Sequence, residues 1–211
     1  MVATLDELAH RHGTDKASGR HGFAEIYDAL LTARRAEPLV LLEIGVKHGA
    51  SVRMWREYFP AARVYGIDVK HEALEHAEER IEIFIGSQAD TSFLATVVQA
   101  SGPLDVVVDD GSHRFPDQAT SLRFLWPHVR PGGLYIVEDT HTSYSDRYDM
   151  GLRQPETTVE MLKDIVDDVH ARFHRQPPSL DAVQSVHFHA GTCVIEKRAR
   201  GRRHHAATGA A

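Results

Sequence analysis

Two groups of acidic residues follow apolar runs of this sequence, where buried strands are predicted to end. Asp109, Asp110 and His113 follow one run, and Glu138 and Asp139 follow the next. Because the carboxyl ends of adjacent parallel strands meet at one edge of a sheet, these side chains are expected to share a cleft. Carboxylate oxygens are the ligands that hard cations such as Mg²⁺ prefer. The pattern predicts a Mg²⁺ (or Mn²⁺) site with Asp110, Glu138 and Asp139 as metal ligands. Asp110 and the neighbouring His113, as general base, are the predicted catalytic residues.

A glycine-containing turn lies earlier in the chain, between Glu43 and Ser51. Gly45 and Gly49 allow the backbone to approach a ligand closely. Their spacing differs from the G-x-G-x-x-G of dinucleotide sites and from the phosphate-binding loop, which ends in G-K-[ST]. The turn therefore favours a nucleoside ligand that has no pyrophosphate.

Acids and an amide after the next strands complete this predicted pocket. Asp68 ends the second strand, where a carboxylate can accept both ribose hydroxyls. Gln88 or Asp90 ends the third strand and could bind an exocyclic amine. Asp109 is expected either to face this ligand or to cap the next helix, since adjacent residues at a strand end point to opposite sides. The predicted cofactor-binding residues are Glu43, Gly45, Gly49, Ser51, Asp68, Gln88, Asp90 and Asp109.

A stretch without clear periodicity, residues 140–155, follows the second acidic group. Loops of this length often cover a site. It contains Arg147 and two tyrosines, Tyr144 and Tyr148, and the aromatic rings of the tyrosines would suit a sugar or polyketide ring. His141 is a reserve candidate for the base, and we expect His141 and Tyr144 to contact the acceptor substrate.

The order of the elements predicts an α/β fold. Apolar runs at 39–44, 63–67, 81–85, 104–108 and 134–137 are predicted strands, with helices at 51–58, 71–80, 91–99, 116–126 and 157–173. Alternation of single strands and helices is typical of βαβ units in a parallel sheet with helices on both faces. Two further β-rich runs, 185–189 and 192–196, flank Ala190-Gly191 and predict a C-terminal antiparallel hairpin. We predict an N-terminal helical extension (1–38), a main domain (39–197) and a basic, disordered tail (198–211).

These features together resemble the class I methyltransferases that use S-adenosylmethionine, over residues 39 to 197. The resemblance implies a Rossmann-like, seven-stranded, mostly parallel sheet. The sequences of residues 108–113 and 137–144 are most similar to those of metal-dependent sugar O-methyltransferases of macrolide and other glycosylated natural-product pathways, of the mycinamicin and macrocin type. Gly13-Thr14-Asp15-Lys16, His21 and Tyr27 also resemble that group, in which the segment helps to close the cofactor site. The implied activity is methylation of a sugar hydroxyl.

Composition limits the other possibilities. The net charge of −6 disfavours a nucleic-acid partner, and the basic run 197–205 has no interleaved aromatic residue. A single cysteine rules out an internal disulfide framework, and neither a secretory signal nor a membrane-spanning run is visible. We expect a cytoplasmic enzyme with a small-molecule glycoside as its partner, no membrane association and a homo-oligomeric state.

Four alternative functions stay open at this point. The same mechanism would serve a catechol or another phenol, and the sequence also resembles cephalosporin-hydroxylase components. A non-catalytic binding module could retain the pocket. A metal-dependent phosphoesterase could use the clustered acids, although Asp68 has no obvious use there.

Overall fold

The computed structural model describes residues 2–148 and 150–199, which form an α/β fold around a seven-stranded sheet. The strand order is β3-β2-β1-β4-β5-β7-β6. Strands β1 to β5 are parallel to one another, whereas β7 runs antiparallel to both β5 and β6. The strands are β1 (Val40–Ile44), β2 (Arg63–Asp68), β3 (Ile81–Ile85), β4 (Leu104–Asp109), β5 (Val129–Glu138), β6 (Val183–His189) and β7 (Thr192–Lys197).

In the described part of the chain, six α-helices cover the two faces of the sheet. They are α1 (Leu5–His12), α2 (Phe23–Leu31), α3 (Ala50–Tyr58), α4 (Thr91–Ser101), α5 (Phe115–Leu125) and α6 (Thr158–Val169). One buried apolar cluster joins α1, α2 and α3 to one face, and a second joins α4, α5 and α6 to the other. Because side chains alternate along a strand, Leu41 of β1 enters the first cluster, while Leu42 enters the second.

The predicted mostly parallel sheet with helices on both faces and a C-terminal hairpin is confirmed. The two hairpin strands pair from Val183↔Lys197 to His189↔Thr192, so the loop is Ala190-Gly191, as predicted. All seven strands of the sheet correspond to predicted strands, with ends that differ by a few residues.

Three predicted elements differ from the structure. Residues 71–80 were expected to be one helix, but only His71–His76 is helical, as a 3-10 helix. Arg80 then adopts a positive φ of 66° and donates to the backbone carbonyls of Arg56, Phe59 and Ala62. The backbone groups of this segment find other partners than a helix would supply, since Glu78 pairs with Ile81 and the Arg80 carbonyl accepts from the Val64 N–H.

The other two differences lie at element ends. Strand β5 begins at Val129, five residues before the predicted start. Its pairing with β4 shifts register between Leu104 and Val106, so residues 130–133, which include the predicted Pro131-Gly132-Gly133 turn, interrupt the pairing of the two strands. Helix α6 ends at Val169, and a 3-10 helix, Ala171–Phe173, follows it.

The N-terminal elements belong to the core of the fold. Leu5 and Leu8 of α1 and Phe23 and Tyr27 of α2 are buried in the same cluster as strand residues of the sheet. Within the described part of the chain, no helix combines the length and apolarity that crossing a membrane requires. The predicted tail lies almost wholly outside the described residues, and the predicted domain boundaries stay a prediction.

Candidate active site

A single cavity of about 560 Å³ lies at the carboxyl ends of the parallel strands. The turns that follow β1, β2, β3, β4 and β5 line it, and so does the N-terminal segment with Gly13, Thr14, Asp15 and Arg20. A volume of this size is typical of small-ligand sites. The cavity is continuous from the glycine turn to the two acidic groups.

The glycine turn after β1 is packed directly against the loop after β4. Gly45 has a φ of +93°, and a side-chain carbon at this position would lie 2.1 Å from the backbone oxygen of Asp110. Gly111 is equally confined, since a side-chain carbon there would lie 2.0 Å from Oε1 of Gln88. Only glycine permits this close approach of the two loops.

Asp68 and Ser51, two of the residues predicted to bind the cofactor, both line the cavity. The Asp68 carboxylate accepts hydrogen bonds from the backbone N–H groups of Lys47, at 2.8 Å, and Lys70, at 2.9 Å. A carboxylate offers about four acceptor positions, so the side chain retains capacity for two ligand hydroxyls.

The third strand and the first acid of the β4 loop have different roles from those predicted. Gln88 lines the cavity, but its Nε2 donates to both oxygens of Asp109, at 3.0 and 3.2 Å, and its Oε1 accepts from the Ser112 N–H at 2.8 Å. Its amide therefore holds the β4 loop in place instead of being free to bind a base. Asp90 does not line the cavity; it caps α4 by accepting from the N–H groups of Ser92 and Phe93.

Asp109 neither faces the cavity nor caps a helix. It lies on the α5 side of the sheet, fully buried, and accepts from Ser121 at 2.7 Å and from the Tyr135 hydroxyl at 3.1 Å. Burial raises the pKa of Asp109, while these donors oppose the shift. The alternation of side chains along β4 explains the correction, because Asp109 shares the face of Val107.

The next residue on the loop, Asp110, meets His113 and Asp139 in one cluster. Each of the three side chains offers one possible ligand atom, and these three atoms all lie within 4.8 Å of one another. The Nε2 of His113 is 3.4 Å from a carboxylate oxygen of Asp139. His113 and Asp139 both have positive φ angles, 56° and 53°. Such backbone strain in non-glycine residues is concentrated at functional sites.

The donor set of this cluster fits a divalent cation. Among the described residues, Oδ1 of Asp139 and Nδ1 of His113 are buried without any hydrogen-bond partner. An unpaired buried oxygen of a carboxylate costs free energy unless a cation binds there. The two aspartates supply the hard oxygen ligands that Mg²⁺ or Mn²⁺ requires.

Glu138 is held by protein donors in this structure. Its Oε1 accepts from the Tyr27 hydroxyl at 2.9 Å, and its Oε2 accepts from the Lys16 ammonium at 2.7 Å. The same ammonium donates to Asp110 Oδ2 at 2.6 Å. Lys16 thus joins Glu138 to the cluster, and Glu138 as a metal ligand stays a prediction.

Glu43, which was predicted to bind the cofactor, does not reach the cavity. It is fully buried on the α1–α3 side of the sheet, where its Oε1 lies 3.5 Å from the Lys16 ammonium. Burial raises the pKa of Glu43 to about 7, even though Lys16 opposes the shift. Glu43 therefore belongs to the charge network beneath the site.

Three imidazoles surround Asp139. Besides His113, the Nδ1 atoms of His21 and His141 lie 4.0 and 3.8 Å from Asp139 Oδ1. The predicted acceptor contact Tyr144 is half-exposed and does not line the cavity. Tyr148 instead stands with its ring edge-on to His113, the ring centres being 6.5 Å apart.

Sequence reasoning did not identify Lys16, Gly111 or the contact of His21 with Asp139. Lys16 and His21 lie in a polar N-terminal loop, and only the resemblance to a known family pointed to that loop. Gly111 had a signal, since a glycine inside a charged loop after a buried strand often marks a close backbone approach.

Comparisons with known proteins agree with this geometry. A family model described as a methyltransferase domain matches residues 42–140. The 8-demethyl-8-(2-methoxy-alpha-L-rhamnosyl)-tetracenomycin-C 3'-O-methyltransferase of Streptomyces olivaceus is 36% identical over 92% of this chain and 53% of that protein. The mycinamicin VI 2''-O-methyltransferase of Micromonospora griseorubida is 38% identical over 83% of this chain and 45% of its own length.

A solved structure supports the same assignment. MycE methyltransferase from the mycinamycin biosynthetic pathway, in complex with Mg, SAH and mycinamycin VI, superposes with a TM-score of 0.88 and is 33% identical. The match covers 95% of this chain and 55% of that one. The chain spans about half the length of the curated relatives it matches. The chain therefore carries a match to the methyltransferase domain over residues 42–140, and it is similar to sugar O-methyltransferases of natural-product pathways.

Proposed function

We propose that this chain carries the methyl-transfer site of an S-adenosylmethionine- and Mg²⁺-dependent O-methyltransferase that acts on a sugar hydroxyl of a glycosylated natural product. The observation that carries the proposal is the single cavity that joins the glycine turn and Asp68 to Asp110, His113 and Asp139. A nucleoside site and an acidic cluster in one cavity would bring a methyl donor and an acceptor hydroxyl together, which is the main task of a transferase.

The glycine turn and Asp68 are the proposed cofactor site. Gly45 and Ser51 line the cavity at this turn, whereas Gly49 does not line it and makes room for the His76 side chain. Asp68, which is already oriented by two backbone N–H groups, accepts the ribose hydroxyls. The relative MycE was solved with the demethylated cofactor, which supports this use of the pocket.

Asp110 and Asp139 are the proposed ligands of the divalent ion, with Glu138 as the predicted third. The MycE complex with Mg supports the choice of ion. When bound, S-adenosylmethionine supplies an electrophilic methyl group and Mg²⁺ stabilises the negative charge that develops on the attacking oxygen. Asp110 and Asp139 would hold the ion in the cavity, where it would supply this charge stabilisation.

His113 is the proposed general base. An alkyl hydroxyl is nearly as weak an acid as water, whose pKa is about 15.7, so its proton needs an acceptor at the moment of attack. Asp139 lies beside Nε2 of His113 and orients the ring, while Nδ1 has no partner among the described residues. One nitrogen of the neutral imidazole is therefore available to take the proton.

The acceptor class rests on the relatives. Their names describe methylation of rhamnosyl tetracenomycin and mycinamicin VI, and MycE was solved with mycinamycin VI. Glycosides of this type are the proposed substrates here. The homo-oligomeric state of the protein stays a prediction.

The test is a methyl-transfer assay of the purified protein with labelled S-adenosylmethionine, Mg²⁺ and a panel of rhamnosyl and macrolide glycosides, with catechol as the phenolic comparison. We expect product with a glycoside, loss of product in EDTA and recovery on adding Mg²⁺. Asp110→Asn is expected to lose activity while still binding S-adenosylhomocysteine. Undiminished transfer in EDTA and in this variant would reject the metal role, and transfer to catechol alone would reject the sugar acceptor.

A further inference from the structure

Lys16 is a buried lysine at the centre of the acidic site. Only 1% of its side chain is exposed. Its ammonium lies 2.6 Å from Asp110, 2.7 Å from Glu138 and 3.5 Å from Glu43. Lysine is almost never fully buried unless it is paired, so these carboxylates explain why it can lie there.

The ammonium is surrounded by acidic groups. Carboxylate oxygens of Asp110, Glu138 and Glu43 lie within 3.5 Å of it and favour its charged form. One positive charge therefore faces three carboxylates at close range. The carboxylates would otherwise repel one another at the meeting point of three strands, β1, β4 and β5.

The position of Lys16 also links two loops that the proposed mechanism needs to hold together. Asp110 follows β4, and Glu138 ends β5. The ammonium donates to one oxygen of each, while the Tyr27 hydroxyl holds the other oxygen of Glu138. Both bonded carboxylates are therefore oriented by donors from the N-terminal elements.

We propose that Lys16 is a positioning residue: it is the internal counter-ion that assembles the acidic site before a divalent ion binds. The inference rests on the proposed function, because the ion and Lys16 would share Asp110. Removing the ammonium leaves an excess of buried negative charge, which a divalent ion can then offset. The variant protein should consequently depend on the ion for stability much more than the wild type does.

The experiment measures thermal unfolding in EDTA and in excess Mg²⁺ or Mn²⁺. Lys16→Met keeps the length of the side chain and removes its charge. We expect it to lower Tm by about 10 °C in EDTA, since leaving buried charges unpaired is strongly destabilising. The divalent ion should recover most of that loss and stabilise the wild type by only a few degrees. Lys163→Met, which removes an exposed lysine paired with Glu160 on α6, is the matched control and should change neither value.

A double variant separates charge from packing. Glu43→Gln removes one of the three carboxylates without touching the proposed metal ligands. Combined with Lys16→Met and measured at pH 9, above the pKa of about 7 that Glu43 has in the wild type, it should raise Tm in EDTA towards the wild-type value, because less negative charge is left unpaired.

The outcomes decide the proposal in either direction. Equal loss of Tm with and without the ion, together with no rescue by Glu43→Gln, would assign Lys16 a packing role and overturn it. Failure of both the single and the double variant to fold would overturn it as well. A wild type that neither gains stability from the ion nor transfers methyl groups would reject the proposed metal function, whereas rescue by Glu43→Gln would still support Lys16 as the counter-ion.

Discussion

The backbone oxygen of Asp110 occupies the space that a side chain at Gly45 would need. The distance from that oxygen to a side-chain carbon at Gly45 would be 2.1 Å. The proposed cofactor turn and the proposed metal loop are therefore in direct contact. A change in one of these loops must displace the other.

Gly45→Ala is expected to damage both halves of the site. The substitution adds the strain of a positive φ to a collision with backbone, and we expect a loss of about 3 kcal/mol or more in the free energy of unfolding. Binding of S-adenosylhomocysteine, measured by calorimetry, should weaken at least tenfold. Gly22→Ala is the control, because Gly22 also has a positive φ, +69°, but open space around it. It should cost only about 1 kcal/mol and leave binding unchanged; equal effects of the two substitutions would contradict the packing argument.

Gln88→Leu is expected to loosen the loop that carries Asp110 and His113. It leaves the Ser112 N–H without its acceptor and removes one of the three side-chain donors to Asp109, which should cost about 1 to 3 kcal/mol. We expect Mn²⁺ affinity, measured by calorimetry, to fall several-fold while S-adenosylhomocysteine affinity changes little. Asp90→Ala removes only a helix cap and should cost about 1 kcal/mol with neither affinity altered. If cofactor affinity falls in Gln88→Leu and metal affinity does not, Gln88 binds the base after all.

The raised pKa of Glu43 predicts that the free energy of unfolding depends on pH. Its pKa rises from 4.5 in the unfolded chain to about 7 in the folded protein. Between these values the folded state binds more protons, so Glu43 contributes stability that is present below pH 4.5 and is lost as the pH rises through 7. The loss amounts to about 3 kcal/mol.

Glu43→Gln removes this titration. Denaturant unfolding in EDTA at pH 5, 6, 7 and 8 should show the variant gaining stability relative to the wild type as the pH rises. Other titrating carboxylates contribute to both proteins, so the difference isolates Glu43. A difference that is constant over this range would contradict the raised pKa.

His113→Gln tests the proposed base. We expect kcat for methyl transfer to fall by about 10² to 10⁴, because the proton of the acceptor hydroxyl loses its acceptor. Binding of S-adenosylhomocysteine should not change. His141→Gln, at the more exposed imidazole on the other side of Asp139, should have a much smaller effect. A larger loss of kcat in His141→Gln than in His113→Gln would identify His141 as the base.

Substitutions of Tyr148 and Tyr144 test which of the two tyrosines contacts the acceptor substrate. Tyr148→Ala removes the ring that stands against His113 and should raise the KM for the glycoside several-fold, with cofactor binding unaltered. Tyr144→Ala removes a half-exposed ring outside the cavity and should have little effect in the same steady-state assay. A larger effect at Tyr144 would restore it as the acceptor contact.

Local sequence determined the elements and the places where chemistry could lie. The apolar run before Asp109 and the glycines of the β1 turn could be recognised because strand burial and turn formation depend on neighbouring residues. The hairpin around Ala190-Gly191 was recognisable for the same reason. That Asp68 and Asp110 would lie at one edge of the sheet followed from the connectivity of parallel strands alone.

Tertiary structure decided which way each polar side chain points. Asp109 and Asp110 are adjacent in sequence, yet one is bonded to α5 and the other faces the cavity, because the pleat alternates and packing selects the face. Gln88 holds a loop because Asp109 and Ser112 happen to lie within reach. Lys16 meets Asp110 and Glu138 only after α1 and α2 have packed on the sheet, since contacts over such separations in the chain leave no local pattern in the sequence.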